Sequence, residues 1–207
     1  MKASPTQFLL LISGPSGVGK SSVYTPVMQE DPQLGFSVSC TTRPRRPGEI
    51  DGTHYHFLSR NEFERQRAQG AFVESFTVHD ELYGTRRADL ERMLDAGLTP
   101  LLDVDVQGGE KILAAYKDRV VSVFLFPPSF EELEVRLRGR DTEDEKALKV
   151  RLENARWEVD YARHYEYWLV NDELKSAIED LRAILRAERR RRRHWPNPPL
   201  SGPSSAA

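Results

Sequence analysis

Phe8-Leu9-Leu10-Leu11-Ile12-Ser13-Gly14-Pro15-Ser16-Gly17-Val18-Gly19-Lys20-Ser21 joins an unbroken apolar run to a glycine-rich loop of the pattern G-x-x-x-x-G-K-[ST]. An all-apolar run bounded by turn residues is what a central parallel strand needs when helices cover both of its faces. The glycines let successive backbone N–H groups converge on phosphate oxygens, and a helix opening at Lys20 adds the partial positive charge of its N-terminus. Lys20 then reaches the outer phosphates of a nucleoside triphosphate, and the Ser21 hydroxyl can ligate Mg2+. The pattern therefore predicts Mg-ATP, held by Gly14, Pro15, Ser16, Gly17, Val18, Gly19, Lys20, Ser21 and Ser22. Pro26, about a turn into the helix, removes one hydrogen bond and predicts a slight bend that leaves the loop intact.

Working outward, the apolar signature recurs at Leu101–Val106, at Val120–Phe126 and, shorter, at Tyr167–Val170, with helical segments between. This alternation predicts an α/β fold with a P-loop NTPase-like parallel sheet flanked by helices. Helix starts are marked by capping boxes at Ser59-Arg60-Asn61-Glu62, Ser129-Phe130-Glu131-Glu132 and Thr142-Glu143-Asp144-Glu145. In the last helix Leu174, Ile178, Leu181 and Leu185 form one stripe. Asp103 closes the Leu101-Leu102 pair, and Asp105 is expected two residues further along the same strand face. Such acids are either metal-side carboxylates of the phosphate site or plain polar residues at a strand terminus.

The 207 residues suit one principal domain with attached lobes, and 39% hydrophobic with 30% charged residues is ordinary globular usage. A net charge of -2 gives no global attraction to nucleic acid. A single cysteine, Cys40, excludes an internal disulfide framework and fits a reducing, cytoplasmic setting, and no apolar run is long enough for a membrane span. Residues 37–96 change texture to short alternating segments and predict an inserted lobe between core segments 1–36 and 97–188. Arginines and acids alternating about Gly139 predict a helical lid at 138–152. The five arginines Arg189–Arg193 and the Pro- and Ser-rich end to 207 predict a disordered tail, either solvated or a nucleic-acid contact.

Within the inserted lobe, Ser39-Cys40-Thr41-Thr42-Arg43-Pro44-Arg45-Arg46-Pro47-Gly48-Glu49 and the following Tyr55 concentrate guanidinium and hydroxyl donors that suit a phosphate. Together with the glycine loop this stretch resembles the guanylate kinase family. The resemblance continues in order through Asp51-Gly52, Tyr55-His56-Phe57, Phe72-Val73-Glu74, Tyr83-Gly84-Thr85, Leu102-Asp103-Val104-Asp105-Val106-Gln107-Gly108, Leu137-Arg138-Gly139-Arg140 and Val170-Asn171-Asp172, covering about residues 8–185.

The resemblance implies transfer of a phosphoryl group from ATP to GMP, and also to dGMP, in a chain with a GMP-binding lobe and an arginine-bearing lid. Arg43, Arg46, Tyr55 and Tyr83 match the family's ligands for the acceptor phosphate, and Ser39, Glu74, Thr85 and Asp105 its guanine-reading positions. Lys20, Arg43, Arg140 and Arg151 match its catalytic cations, with Arg136 a further lid candidate. Ser21 and Asp103 would hold Mg2+, while Asn171 is either a ligand of the adenine edge or a plain turn residue. Guanine presents N1–H and an exocyclic amine, so one carboxylate can accept from both, whereas adenine offers an acceptor at N1. Asp141 follows Arg140 where glycine is common in the family, and its charge would pair with Arg140 in an open lid.

Catalysis would then rest on positioning and charge neutralisation. A phosphate monoester is largely dianionic near neutrality and needs no general base, so the five histidines receive no catalytic role. Two other readings are a binding module on the same fold without catalysis, against which Lys20-Ser21 and the lid arginines stand, and a small kinase with another phosphorylated acceptor. Oligomeric state, monomer or homodimer, is open at this level.

Overall fold

In the computed structural model, residues 7–78, 80–139 and 145–195 are described. They form β1 (Leu9–Ser13), α1 (Lys20–Glu30), β2 (Leu34–Phe36), β3 (Cys40–Thr41), β4 (His56–Phe57), α2 (Arg60–Ala68), β5 (Phe72–Val78), β6 (Glu81–Arg86) and α3 (Arg87–Asp95). The chain continues with β7 (Thr99–Asp103), α4 (Val106–Tyr116), β8 (Val120–Phe126), α5 (Phe130–Arg138), α6 (Glu145–Asp160), β9 (Tyr167–Val170) and α7 (Leu174–Glu188). A five-stranded sheet in the order β2-β7-β1-β8-β9 is parallel throughout, with β1 at its centre.

The unbroken apolar character of β1 follows from its two covered faces. Leu10 and Ile12 join Val23, Val27, Leu181 and Leu185 under α1 and α7, while Leu9 and Leu11 join Leu90, Leu94, Ile112 and Tyr116 under α3 and α4. A second sheet, β4-β3-β6-β5, pairs β3 with β4 in parallel and β6 with both β3 and β5 antiparallel. Its separate core is small: Cys40, Phe63, Phe72 and Leu82, with the Phe63 and Phe72 rings stacked at 4.4 Å. Burial pushes the Cys40 thiol up to about 12, so this cysteine is a packing residue. Among the described residues no helix is long and apolar enough to cross a membrane.

Local signals place several helix ends. Ser59 Oγ accepts from Glu62 N at 3.2 Å and Ser129 Oγ from Glu132 N at 3.1 Å, as their capping boxes predict. The expected cap at Thr142, together with Arg140 and Asp141, lies outside the described residues. Helix α6 runs on to Asp160; Leu148, Leu152 and Ala155 pack on Leu133 and Leu137 of α5, and Val159 packs against the main core.

Three expectations are corrected. Strand β7 ends at Asp103, and Asp105 is the N-cap of α4, its Oδ1 accepting from Gly108 N at 2.7 Å; a side chain that satisfies a free helix donor outweighs continuation of the strand. On α7, Ile178, Leu181 and Leu185 pack on the core as expected, joined by Ala177 and Ile184, whereas Leu174 sits in the first turn and remains exposed. Arg189–Trp195, expected to be disordered, is folded onto the core. Arg189 pairs with Asp31 at 2.7 Å, and Arg193 pairs with Glu166 at 2.7 Å and Glu188 at 2.9 Å. The buried His194 ring lies 4.8 Å from Phe8, and Trp195 Nε1 donates to Arg189 O at 3.2 Å. Composition misses this because two of the acids that neutralise the arginines, Asp31 and Glu166, lie on distant segments and the third, Glu188, is buried beneath the run. Residues 196–207 lie outside the described residues.

Glu188 is the centre of that dock. It is fully buried; burial alone would raise its pKa, but hydrogen bonds from Tyr167, Arg191 and His194 and the charge of Arg193 outweigh this and hold it at about 2. Replacing Glu188 with Ala removes the buried acceptor shared by the Tyr167 hydroxyl, the buried His194 ring and the more exposed Arg191 and Arg193, and should cost about 3 kcal/mol. This corresponds to a fall of roughly 10 °C in Tm for a chain of this size. Thermal melts at neutral pH followed by circular dichroism would show it; a change under about 2 °C would mean the segment is held by its apolar contacts alone.

Candidate active site

The loop after β1 owes its path to glycine. Gly14, Gly17 and Gly19 all have positive φ, and a Cβ on Gly14 would run into the Leu125 carbonyl of β8. Gly19, at φ 94, is equally restricted, since a Cβ there would lie 2.7 Å from Asn171 Nδ2. Buried Val18 anchors the middle of the loop, with its N–H donating to Pro15 O at 3.2 Å. Asn171 Nδ2 donates to Val18 O at 2.8 Å and is buried. One amide N–H of Asn171, expected at the adenine edge or as a plain turn residue, thus braces the glycine loop from the end of β9. Arg136 adds to the brace, donating to Asn171 O at 3.1 Å while Glu132 holds its Nε at 2.9 Å.

Lys20 opens α1 and donates from Nζ to Gly14 O at 2.8 Å, with Asp103 Oδ1 3.6 Å away. The Ser21 and Ser22 side chains stay exposed in the first turn, and α1 continues through Pro26 to Glu30. Burial raises the Asp103 pKa, against which Lys20 and a hydrogen bond with Tyr24 favour the carboxylate. Burial likewise raises the Tyr24 phenol, reinforced by the charge of Asp103. Among the described residues no group of three or more His, Cys, Asp or Glu gathers as a metal cage. Ser21 and Asp103 at the loop instead fit the sparse protein ligation by which Mg2+ binds with substrate phosphates.

The expected acceptor-phosphate residues converge on β3, β4 and β6. The Arg43 guanidinium lies 5.4 Å from the Tyr55 ring centroid, the Tyr55 and Tyr83 rings are 5.9 Å apart, and Glu49 foremost, with nearby Tyr83, holds Arg43 charged. Arg43 is also bound by a carboxylate: Nη2 to Glu49 Oε1 at 2.7 Å and Nη1 to Glu49 Oε2 at 3.1 Å. The side chain of Arg46 is exposed, and its backbone N–H donates to Glu49 Oε2 at 2.7 Å. The cluster lies toward the ATP side: the Asp103 carboxylate beside Lys20 adds to the raised pKa values of both Tyr24 and Tyr55.

The expected base readers line up across three strands. β5 pairs Glu74 with Thr85, and one step from the Cys40↔Gly84 pair of β3 and β6 puts Ser39 level with Thr85. Glu74 is 3% exposed, and its Oε2 has no hydrogen-bond partner among the described residues; the same holds for buried Thr85 Oγ1. Desolvation raises the Glu74 carboxyl to about 7, moderated by nearby Thr85 and increased by the charge of Asp105. Asp105 reaches this group as a helix cap, and Gly108 lies between the two acids: a Cβ there would be 3.4 Å from Asp105 Oδ1 and 3.6 Å from Glu74 Cδ.

Three residues of the site carry no signal in the glycine motif. Tyr24, four residues after Lys20 on α1, meets Asp103; Glu49 meets Arg43; and Glu158 on α6 has its pKa raised to about 7 by burial, opposed by the charge of Lys20 and reinforced by that of Asp105. Glu158 lies seven residues after Arg151, so the two share a helix face. That spacing, once α6 is placed on the lid, is the clue to Glu158. The other lid arginine, Arg140, is outside the described residues.

The arrangement is a triphosphate loop facing a cationic, tyrosine-lined pocket with a buried carboxylate beyond it. Comparison with known proteins agrees with that chemistry. The family model described as guanylate kinase matches residues 6–188. A guanylate kinase of Agrobacterium fabrum is 44% identical over 184 residues, 89% of this chain and 84% of that protein. One of Symbiobacterium thermophilum is 42% identical over 191 residues, 92% and 90% of the two chains. The crystal structure of guanylate kinase from Anaplasma phagocytophilum superposes with a TM-score of 0.75 at 31% identity, covering 94% of this chain and 93% of that one. The glycine loop, the two-sheet architecture and these matches together make the chain a member of the guanylate kinase family.

Proposed function

We propose that this protein transfers the γ-phosphoryl group of ATP to GMP, giving ADP and GDP, and accepts dGMP as well. The observation that carries the acceptor assignment is the 3%-exposed carboxylate of Glu74, whose Oε2 has no hydrogen-bond partner among the described residues, level with Thr85 and beside Asp105. A buried acceptor with no donor is costly unless a ligand supplies one, and guanine supplies two adjacent donors, N1–H and the exocyclic amine. Adenine opposes the same carboxylate with a ring acceptor, so rejection of AMP by roughly 10⁴-fold is within reach of such a site. The residues assigned here address base and phosphate, and none addresses the 2′ position, which supports dGMP as an acceptor.

In this reading the glycine loop and the N-terminus of α1 hold the ATP phosphates, and Lys20 neutralises charge on the oxygens being transferred. Arg43, Arg46, Tyr55 and Tyr83 hold the GMP phosphate in line with that loop, whose neighbour Asp103 is already electrostatically coupled to Tyr55. Arg151 and Arg140 approach from the lid. Mg2+, held by Ser21 and Asp103, would supply charge neutralisation at the phosphate oxygens. The acceptor oxygen needs no base, because a phosphate monoester with a second pKa near 6 is already ionised at neutral pH.

ADP formation from Mg-ATP with GMP, dGMP, AMP and UMP tests the assignment directly. GMP and dGMP should turn over, AMP and UMP should not, and Lys20→Met should lose at least about 10²-fold in kcat. GMP binding without ADP formation in the wild type would remove the enzymatic reading in favour of a binding module.

The Glu74 pKa gives a second test. Below about pH 7 the free protein carries a proton on Glu74, whereas guanine requires the carboxylate. Guanosine, used as a competitive inhibitor against GMP so that no phosphate titrates, should bind about tenfold more weakly per pH unit below 7 and level off above it. Glu74→Gln should flatten this profile and collapse the GMP/AMP preference. The same shift works against the fold: a carboxyl raised from 4.5 to about 7 stabilises only while protonated. Stability should therefore fall by about 3 kcal/mol from pH 4.5 to above 7 on account of this group. GMP should restore it. A guanosine affinity independent of pH in the wild type would exclude Glu74 as the base reader.

A further inference from the structure

Arg43 has five N–H donors, and the structure commits three of them away from any ligand. One hydrogen of Nη1 goes to Pro44 O at 2.7 Å and the other to Glu49 Oε2 at 3.1 Å, while one of Nη2 goes to Glu49 Oε1 at 2.7 Å. Glu49 thus grips the guanidinium end-on, across Nη1 and Nη2. The second Nη2 hydrogen and Nε–H remain, and they lie on one edge of the planar fork, spaced to meet two oxygens of a phosphate. The Tyr55 and Phe57 rings flank the same guanidinium at 5.4 and 5.8 Å.

Glu49 is bound from a second direction. Its Oε2 also accepts from Arg46 N at 2.7 Å, and its own N–H donates to Arg46 O at 3.1 Å, closing a turn in which Gly48 has φ 84. The turn therefore fixes Glu49, Glu49 fixes Arg43, and the same contacts fix the backbone from which Arg46 projects. The Arg43 and Glu49 side chains are only 14% and 17% exposed, so this pair is enclosed and weakly screened.

We propose that Glu49 is the positioning residue of the acceptor-phosphate site: it holds Arg43 end-on so that the guanidinium meets the phosphate through its Nε and Nη2 edge, and it ties Arg46 to the same turn. This rests on the GMP kinase reading above. Glu49 does not touch substrate; its contribution is to remove the rotamer freedom of a long arginine before the phosphate arrives and to leave only one edge available. A carboxylate that merely occupied the phosphate's place would act with the opposite sign, since the phosphate would have to displace it.

Competition by inorganic phosphate and by guanosine against GMP separates these cases in Glu49→Gln, which keeps the shape but replaces one acceptor by a donor facing Arg43, and in Glu49→Ala. Both variants should raise KM for GMP and Ki for inorganic phosphate by roughly ten- to a hundredfold. Ki for guanosine and KM for ATP should stay within about twofold, which also reports that the lobe has folded. Combining Glu49→Gln with Arg43→Ala should add little to Arg43→Ala alone. An unchanged phosphate Ki, or tighter phosphate binding in the variants, overturns the proposal. So does a guanosine Ki that rises in step with that of phosphate, which would mark a general structural role. A wild-type protein that makes no GDP would instead sink the function on which the proposal rests, so the two failures are distinguishable.

Discussion

The close approach of the glycine loop to strand β8, where Gly14 faces the Leu125 carbonyl with no room for a Cβ, is the constraint on which the site depends. It turns the chain at the end of β1 so that the next residues present backbone N–H groups ahead of α1. Asn171, just after β9, donates to Val18 O and Arg136 of α5 donates to Asn171 O, so the loop is held by contacts from other elements of the fold. Because β1 is buried on both faces and central, small changes in helix packing are absorbed by the outer layers, and the loop keeps its place relative to Asp103 on β7.

Charge is arranged on a single plan across the site. Lys20 has Asp103 beside it, Arg43 has Glu49, and Arg136 has Glu132. Each pairing lets a cation be partly enclosed without large cost, and each sets the side-chain direction before substrate enters. Glu74 breaks the plan: it is the most buried acid of the acceptor pocket, with one oxygen unpartnered. Phosphate recognition is thus prepared by internal ion pairs. Base recognition is prepared by leaving one out.

How much of this was legible in the sequence depended on how local the cause is. Strand β1, its loop and the caps at Ser59 and Ser129 are decided within a few residues, and the sequence predicts them. Asp105 reads as a strand residue until the donor of Gly108 is known to need a cap, and no motif shows that Asn171 also braces Val18 O. The arginine run Arg189–Arg193 misleads for the same reason: composition records the cations, whereas Asp31 and Glu166 that dock them come from other elements. Residue by residue, family resemblance names the groups expected to face a ligand. It is silent on the groups facing those groups, which is why Glu49, Tyr24 and Glu158 emerge only in three dimensions.

The placement of Glu74 also links recognition to stability. The sheet that carries it has a core of four buried residues, against a main core that covers both faces of β1. Each buried group in so small a core accounts for a larger part of its stability, and an ionised Glu74 opposes folding there. A ligand that binds only the folded lobe shifts its equilibrium toward order by mass action. On the proposed assignment, guanine would supply donors to the carboxylate that strains the lobe, so GMP would stabilise the lobe through the same contact by which it is recognised. A purine without those donors would leave the strain in place. Selectivity would then extend beyond affinity: the acceptor lobe would be fully stabilised beside the glycine loop only when the base that fits it is present.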